Sequence, residues 1–332
     1  MKLALLAIAI GGGALIGLVA WFGAQTIGGE VLQAGWAIPA TLALHVFQLY
    51  LSAIAWRISV GVRAPRMKAY FRLRWIREAV NSLLPVAQMG GNLVGIRMLA
   101  QRGVPGAVAG AGTTLDLTIE ALTQFVWTLV GISVLAAISS DQSWKPWVQG
   151  GLVAMGLGLA GFVVAQRAGM LRLIEALAHR LQRVFPSLSM DQVRGLHAEL
   201  MRLQSNRPAL AKAAALHLLA WALGTFEVWL ALSVMGVRIG PAEALVIESL
   251  GMAARSAGFV VPGALGVQEA GFILVCGLFQ IHPDTAIALS MVKRVRELLV
   301  GVPGLIAWQW SEGKRVVKRR KALLFEKRSK NF

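Results

Sequence analysis

Apolar runs of membrane-crossing length constrain this chain more than any other feature. A helix needs about 20 mostly apolar residues to cross a bilayer's hydrocarbon core, and six windows meet that need: 3–22, 36–56, 107–137, 147–166, 212–235 and 285–310. Within hydrocarbon the backbone must satisfy its own polar groups, so runs this long are helices. The composition agrees, with 56% hydrophobic residues, 15% charged residues and a mean hydropathy of +0.64 over 332 residues. The expected fold is an all-α polytopic membrane protein, one membrane domain over 1–332. The run from Leu3 to Phe22 follows only Lys2 and lacks a small-residue cleavage site, which predicts a retained anchor rather than a removed signal.

The formal net charge of +17 does not point to nucleic acid, because the basic groups fall between apolar runs instead of gathering on a soluble face. They report topology instead. Arg57, Arg63, Arg66, Lys68, Arg72, Arg74 and Arg77 lie between the second and third windows, eight basic residues lie from Arg167 to Lys212, and nine follow Glu312. Short loops this basic stay cytoplasmic, and the connections near Glu30, Asp141 and Val237, with only Lys145 and Arg238, face outward. Both termini are then cytoplasmic. Tryptophans near the ends of the runs, at Trp21, Trp36, Trp56, Trp144, Trp147, Trp308 and Trp310, suit the headgroup layer. The segment from Leu171 to Leu203 mixes Leu and Ile with Arg, His and Glu at helical spacing, fitting either a helix on the anionic inner leaflet or a solvated hairpin.

This topology closes only if the stretches 78–100 and 243–280, both broken by Gly and Pro, return to the side they entered from as re-entrant helical hairpins. The two resemble each other. LLPVAQMGGNLVGIRML from Leu83 and VVPGALGVQEAGFILV from Val260 each run Pro, Gly, polar, Gly; Asp116 lies 11 residues after Pro105, and Arg294 lies 11 after Pro283. With the first copy entering from the cytoplasm and the second from outside, units of about 67–137 and 243–310 form an inverted repeat, the geometry of secondary transporters.

Charges recur where lipid would reject them. An ionised side chain at mid-bilayer costs at least ~2.5 kcal/mol, so such residues face a cavity or a partner. Asp116, Glu120 and Gln124 recur every four residues on one face of the third span. Glu227 sits mid-helix, and Lys293, Arg294, Arg296 and Glu297 interrupt the last span. Inside the hairpins Glu78, Asn81, Gln88, Asn92 and Arg97 answer Glu248, Arg255, Gln268 and Glu269. The arginines suit a phosphate oxyanion, whereas Asp116, Glu120 and Glu227 suit a cation or a proton relay. No cofactor or metal is expected: His45 and His217 stand singly, as hydrogen-bonded core histidines do, and no HExxH, GxSxG or P-loop string occurs. The one cysteine, Cys276, sits in an apolar stretch, so no disulfide can form within one chain.

RWIREAVNSLLPVAQMGGNLVGIRML (Arg74 to Leu99), ESLGMAARSAGFVVPGALGVQEAGFILV (Glu248 to Val275) and SMVKRVRELLVGVPGLIAWQ (Ser290 to Gln309) resemble the flippase-like membrane family related to the transmembrane region of lysylphosphatidylglycerol synthases. Within it the strings are most similar to the hopanoid-biosynthesis-associated, HpnL-type branch. The resemblance implies a multi-pass protein of the bacterial cytoplasmic membrane that moves or holds a polar-headed lipid. It places the headgroup against Glu78, Asn81, Gln88, Asn92, Arg255, Gln268, Glu269, Arg294, Arg296 and Glu297. The synthases add a soluble aminoacyl-transfer domain, whereas this sequence ends in a short basic tail at Phe332, so synthase activity is not expected. The competing expectation is a non-transporting accessory subunit for lipid biosynthesis, docking through the basic tail 312–332 and the segment 167–212. A membrane-embedded enzyme would need a nucleophile or metal triad. Expected partners are membrane lipids, with lipid-synthesising enzymes or a second copy of the chain left open.

Overall fold

The computed structural model describes residues 35–62, 65–84, 90–139, 145–169, 195–258, 264 and 266–329. Among these every regular element is a helix: α1 Ala37–Val60, α2 Met67–Leu83, α3 Gly90–Ala100, α4 Gly106–Ile138, α5 Lys145–Arg167, α6 Leu196–Gln204, α7 Arg207–Val234, α8 Pro241–Ala257, α9 Val267–Gly277 and α10 Pro283–Ser329. Four of them, α1, α4, the Val148–Arg167 part of α5, and α7, are long and apolar enough to cross a membrane. They match four expected windows; the first, 3–22, lies outside the described residues. The last window falls inside α10, a helix of 47 residues and about 70 Å at 1.5 Å per residue. That is a correction in kind. With Lys293, Arg294, Arg296 and Glu297 in its path, α10 is an amphiphile and, among the described residues, is not one of the four helices long and apolar enough to cross.

The expected hairpins are pairs of short helices, α2 with α3 and α8 with α9, each pair packed together. Both pairs consist of a 17-residue helix and an 11-residue helix, roughly 26 Å and 17 Å long and so too short to span ~30 Å alone. The breaks have local causes. Leu84 precedes Pro85, which excludes it from the α region, and it is extended at φ −101° and ψ 146°. In the second pair Ala264 holds φ +50° and Gly266 φ +78°, and the Glu269 carboxylate accepts the Gly266 N–H at 2.7 Å, which starts α9. Within each pair a glycine allows close approach. A Cβ on Gly91 would lie 2.1 Å from the Arg77 carbonyl oxygen, and one on Gly271 would lie 2.6 Å from the Ala254 Cβ.

Each pair anchors its own apolar core. Trp56, Tyr70, Leu73, Ile76, Met98 and Leu99 pack α2 and α3 against α1 and α4, while Val228, Ile247, Phe272, Val275, Leu289 and Val292 join α7, α8, α9 and α10. Long α1–α7 and α2–α10 contacts bind the halves together. The basic stretch after Arg167 is described only from residue 195. There α6 buries His197, Leu200 and Leu203 against α4, and the next span begins at Arg207 instead of 212. From Glu312 to Ser329 the chain continues α10.

Gly91→Ala should destabilise the fold by about 1–3 kcal/mol by forcing α3 off α2. Gly158→Ala, whose new Cβ meets nothing within 4 Å, should be neutral or slightly stabilising, as helix propensity favours alanine. Thermal unfolding of both variants in detergent micelles checks the contrast.

Candidate functional site: a charged cavity between the helix pairs

Six helices, α1, α2, α4, α7, α8 and α10, enclose a cavity of about 320 Å³, within the size range of small-ligand sites. Its first wall is one face of α2, where Arg74, Arg77, Glu78 and Asn81 follow at i, i+3, i+4 and i+7. Arg74 reaches Glu120 on α4 with both terminal nitrogens, at 3.2 and 2.7 Å, the two-pronged geometry that makes guanidinium–carboxylate pairs strong. Arg77 donates to Asp116 at 2.6 Å and to Asn92 at 2.5 Å, with its guanidinium 5.3 Å from the Trp56 ring centroid. On its other oxygen Asp116 contacts His217 Nε2 of α7 at 3.2 Å. Behind the wall, Asn81 accepts the Gly91 N–H at 2.8 Å and so ties α3 to α2.

The second wall is built on α10. Lys293 donates to Glu248 at 2.8 Å and lies 3.6 Å from Glu227, and Arg296 is hydrogen-bonded to Glu227. Arg255 of α8 bonds both Gln268 and Glu297. Arg294, one position round from Lys293, turns toward α9: it donates to Glu269 at 3.1 Å, to Glu297 at 3.3 Å and to the Ala264 carbonyl at 3.3 Å. That last bond holds the positive-φ residue of the α8–α9 break. Ser290 links the group by donating to Glu269 and accepting from Gln268. Between the walls Gln124 of α4 donates to Ser256 at 2.6 Å and to the Met252 carbonyl at 3.2 Å.

The expected neutralisation between helices is therefore present. The two networks hold six cations (Arg74, Arg77, Arg255, Lys293, Arg294, Arg296) and seven carboxylates (Glu78, Asp116, Glu120, Glu227, Glu248, Glu269, Glu297). Glu78 is the most open of the seven, with 32% of its side chain exposed and its ion-pair partner Arg74 at 3.8 Å.

Of the residues singled out by sequence, Glu78, Asn81, Glu120, Glu248, Arg255, Lys293, Arg296 and Glu297 line the cavity. Asn92, Asp116, Glu227, Gln268, Glu269 and Arg294 stand behind them as buried or largely buried partners. Arg97 is corrected: its side chain is 62% exposed and pairs with Glu312 at 2.9 Å, away from the cavity. Five residues on from Asn92 it points some 140° round the helix, since each residue turns ~100°. Gln88 lies outside the described residues.

Sequence reasoning missed Arg74 and Arg77, read as loop cations that fix topology, although they are 5% and 2% exposed. Their i, i+3 spacing ahead of Glu78 and Asn81 was the available signal. His217 was set apart as a core histidine; it is hydrogen-bonded and buried, but its partner is Asp116 and it lines the cavity. Among the described residues, no group of three or more His, Cys, Asp or Glu side chains is placed to hold a metal.

Fold and site together define a polytopic α-helical membrane protein with an ion-paired cavity between two broken-helix units. The profile of the family described as "Lysylphosphatidylglycerol synthase TM region" matches residues 4–304, and the chain belongs to that family. No curated protein and no solved structure matches it.

Glu227→Leu strips Arg296 of its hydrogen-bonded carboxylate and should destabilise the protein by about 3–5 kcal/mol. Adding Arg296→Met to it should restore at least half of that loss, as measured by denaturant unfolding in micelles. A double variant no more stable than Glu227→Leu would contradict the pairing.

Proposed function

We propose that the cavity receives the polar headgroup of a membrane lipid and that the protein carries such lipids between leaflets, as a flippase or lipid transporter of the bacterial cytoplasmic membrane. The observation that carries this reading is the cavity itself: a space of about 320 Å³ with both signs of charge on its walls, set among helices of membrane-crossing length. Ionised groups at such depth are retained for a polar passage or a polar ligand. A lipid suits the site because its headgroup can exchange hydrogen bonds with the walls while its chains remain in hydrocarbon.

The matched lengths of the two helix pairs support a reading in which α2–α3 and α8–α9 act as inverted units that rock about the shared cavity to give alternating access. The hopanoid-biosynthesis-associated strings suggest a polar-headed hopanoid or an aminoacyl or glycosyl lipid as cargo. A second reading, an accessory subunit for lipid synthesis, is favoured by the continuation of α10 through the basic stretch Lys314–Lys321. In neither reading does the chain act as the synthase.

Reconstitution into liposomes with fluorescent lipids of different headgroups tests the proposal. At least one headgroup should cross faster than in protein-free liposomes. Glu78→Gln and Lys293→Met should each slow it about tenfold, the effect of losing one charge-assisted contact, and Arg97→Gln should leave it unchanged. If no headgroup moves and removal of residues 314–332 abolishes the protein's cellular role, the accessory reading replaces this one.

A further inference from the structure

His217 of α7 joins the central cavity to a carboxylate hidden behind its wall. The imidazole lines the cavity, and its Nε2 lies 3.2 Å from Oδ1 of Asp116, which is fully buried. The other oxygen of Asp116 accepts from Arg77 at 2.6 Å and lies 3.6 Å from Arg74. An aspartate bound this closely by guanidinium groups is a carboxylate, an acceptor on both oxygens. Nε2 must then carry the hydrogen of the His217–Asp116 bond, which leaves Nδ1 as the place on the ring for a second proton.

Charge around the ring differs between the two walls. In the α10 wall Arg255, Lys293, Arg294 and Arg296 meet Glu227, Glu248, Glu269 and Glu297, four against four. In the α2–α4 wall, among the described residues, Arg74 and Arg77 meet three carboxylates, Glu78, Asp116 and Glu120. The helices packed against α7 are α1, α4, α8 and α10. From α1 the ring shares the cavity with His45, which is bonded to Gln48 at 3.1 Å. From α4 come Asp116 and Glu120, and α8 and α10 contribute members of the balanced wall. A proton on His217 therefore arrives where the described charges are one cation short.

We infer that His217 is a proton-binding site that couples the carrier cycle to protons. A proton from cavity water binds Nδ1, the Nε2–H stays on Asp116, and the α2–α4 wall becomes balanced. Glu78, Arg74 and His217 face the same space, so a headgroup bound there and a proton on the ring alter one another's affinity reciprocally. This coupling rests on the carrier reading above; the proton site itself does not.

Two measurements on the full chain test the inference. In liposomes with the membrane potential clamped to zero, the leaflet ratio of nitrobenzoxadiazole-labelled phosphatidylglycerol or phosphatidylethanolamine should shift about tenfold per pH unit of imposed gradient, the effect of one proton per cycle. His217→Gln keeps an N–H for Asp116 but takes no proton, and its ratio should ignore the gradient. His282→Gln, at an exposed His–Asp pair at the start of α10, should respond as the wild type does. Nitrogen NMR of histidine-labelled protein, with the His217→Gln spectrum subtracted, should show the His217 ring becoming imidazolium on acidification from about pH 8 to 5, the range in which imidazoles change charge. Lipid movement indifferent to the gradient in the wild type, or a gradient response kept by His217→Gln, would overturn the coupling. If neither lipid moves, the carrier reading fails and the spectrum decides the proton site alone: a ring that stays neutral refutes it.

Discussion

Everything in this fold answers to the neutralisation of buried charge. Removing an ion from water carries a penalty of several kcal/mol, repaid only when a partner and hydrogen bonds are in place, and in a bilayer no water stands ready to relax the error. Asp116, fully buried, is tolerable because Arg77 and His217 reach it from two other helices. Glu227 is tolerable because Lys293 and Arg296 approach from α10. The ion pairs therefore select which helices neighbour one another, and the apolar clusters on either side fill in around that choice.

The same constraint explains the broken helices. The 17- and 11-residue members of each pair are too short to cross alone, and polar backbone groups beside their breaks find partners in the protein. Arg294 is one such partner, donating to the Ala264 carbonyl, and Asn81 is another, accepting the Gly91 N–H. Residues that sequence alone marks as charged ligands are thus partly scaffolding for the hairpins. Of the seven carboxylates, Glu78 on the cavity wall is the most exposed.

Much of this was legible in the sequence, and the reasons are physical. Spans of ~20 apolar residues and proline-glycine breaks are local signals, so α1, α4, α5, α7 and the second helix pair fall close to where expected, whereas the first pair begins at Met67 rather than 78, inside the basic stretch read as a loop. The four-residue repeat of Asp116, Glu120 and Gln124 marked a polar face of which Glu120 and Gln124 line the cavity and Asp116 is buried behind them. Arg74 and Arg77 escaped because a run of basic residues beside a span serves both as a topology marker and as a source of buried counter-ions, and only tertiary contacts separate the two. Arg97 misled for the opposite reason: proximity in sequence to Asn92 says nothing of helical face. His217 could not be distinguished from a core histidine without knowing that Asp116 stands opposite. The amphiphilic character of α10 was visible in its charges, but its packing against α2, α9 and α1 was not.

The central claim is that the space between the two ion-paired walls is wet and reachable although it lies at membrane depth. Ala121 and Gln124 sit near the middle of the 33-residue α4 and line the cavity, whereas Leu122 beside them is 42% exposed on the outer face. In a Cys276→Ala background, which removes the one native thiol, a charged, membrane-impermeant thiol reagent should label Ala121→Cys and Gln124→Cys in sealed vesicles and leave Leu122→Cys untouched. Failure to label either cavity position from both sides of the membrane, or labelling of all three alike, would contradict the account.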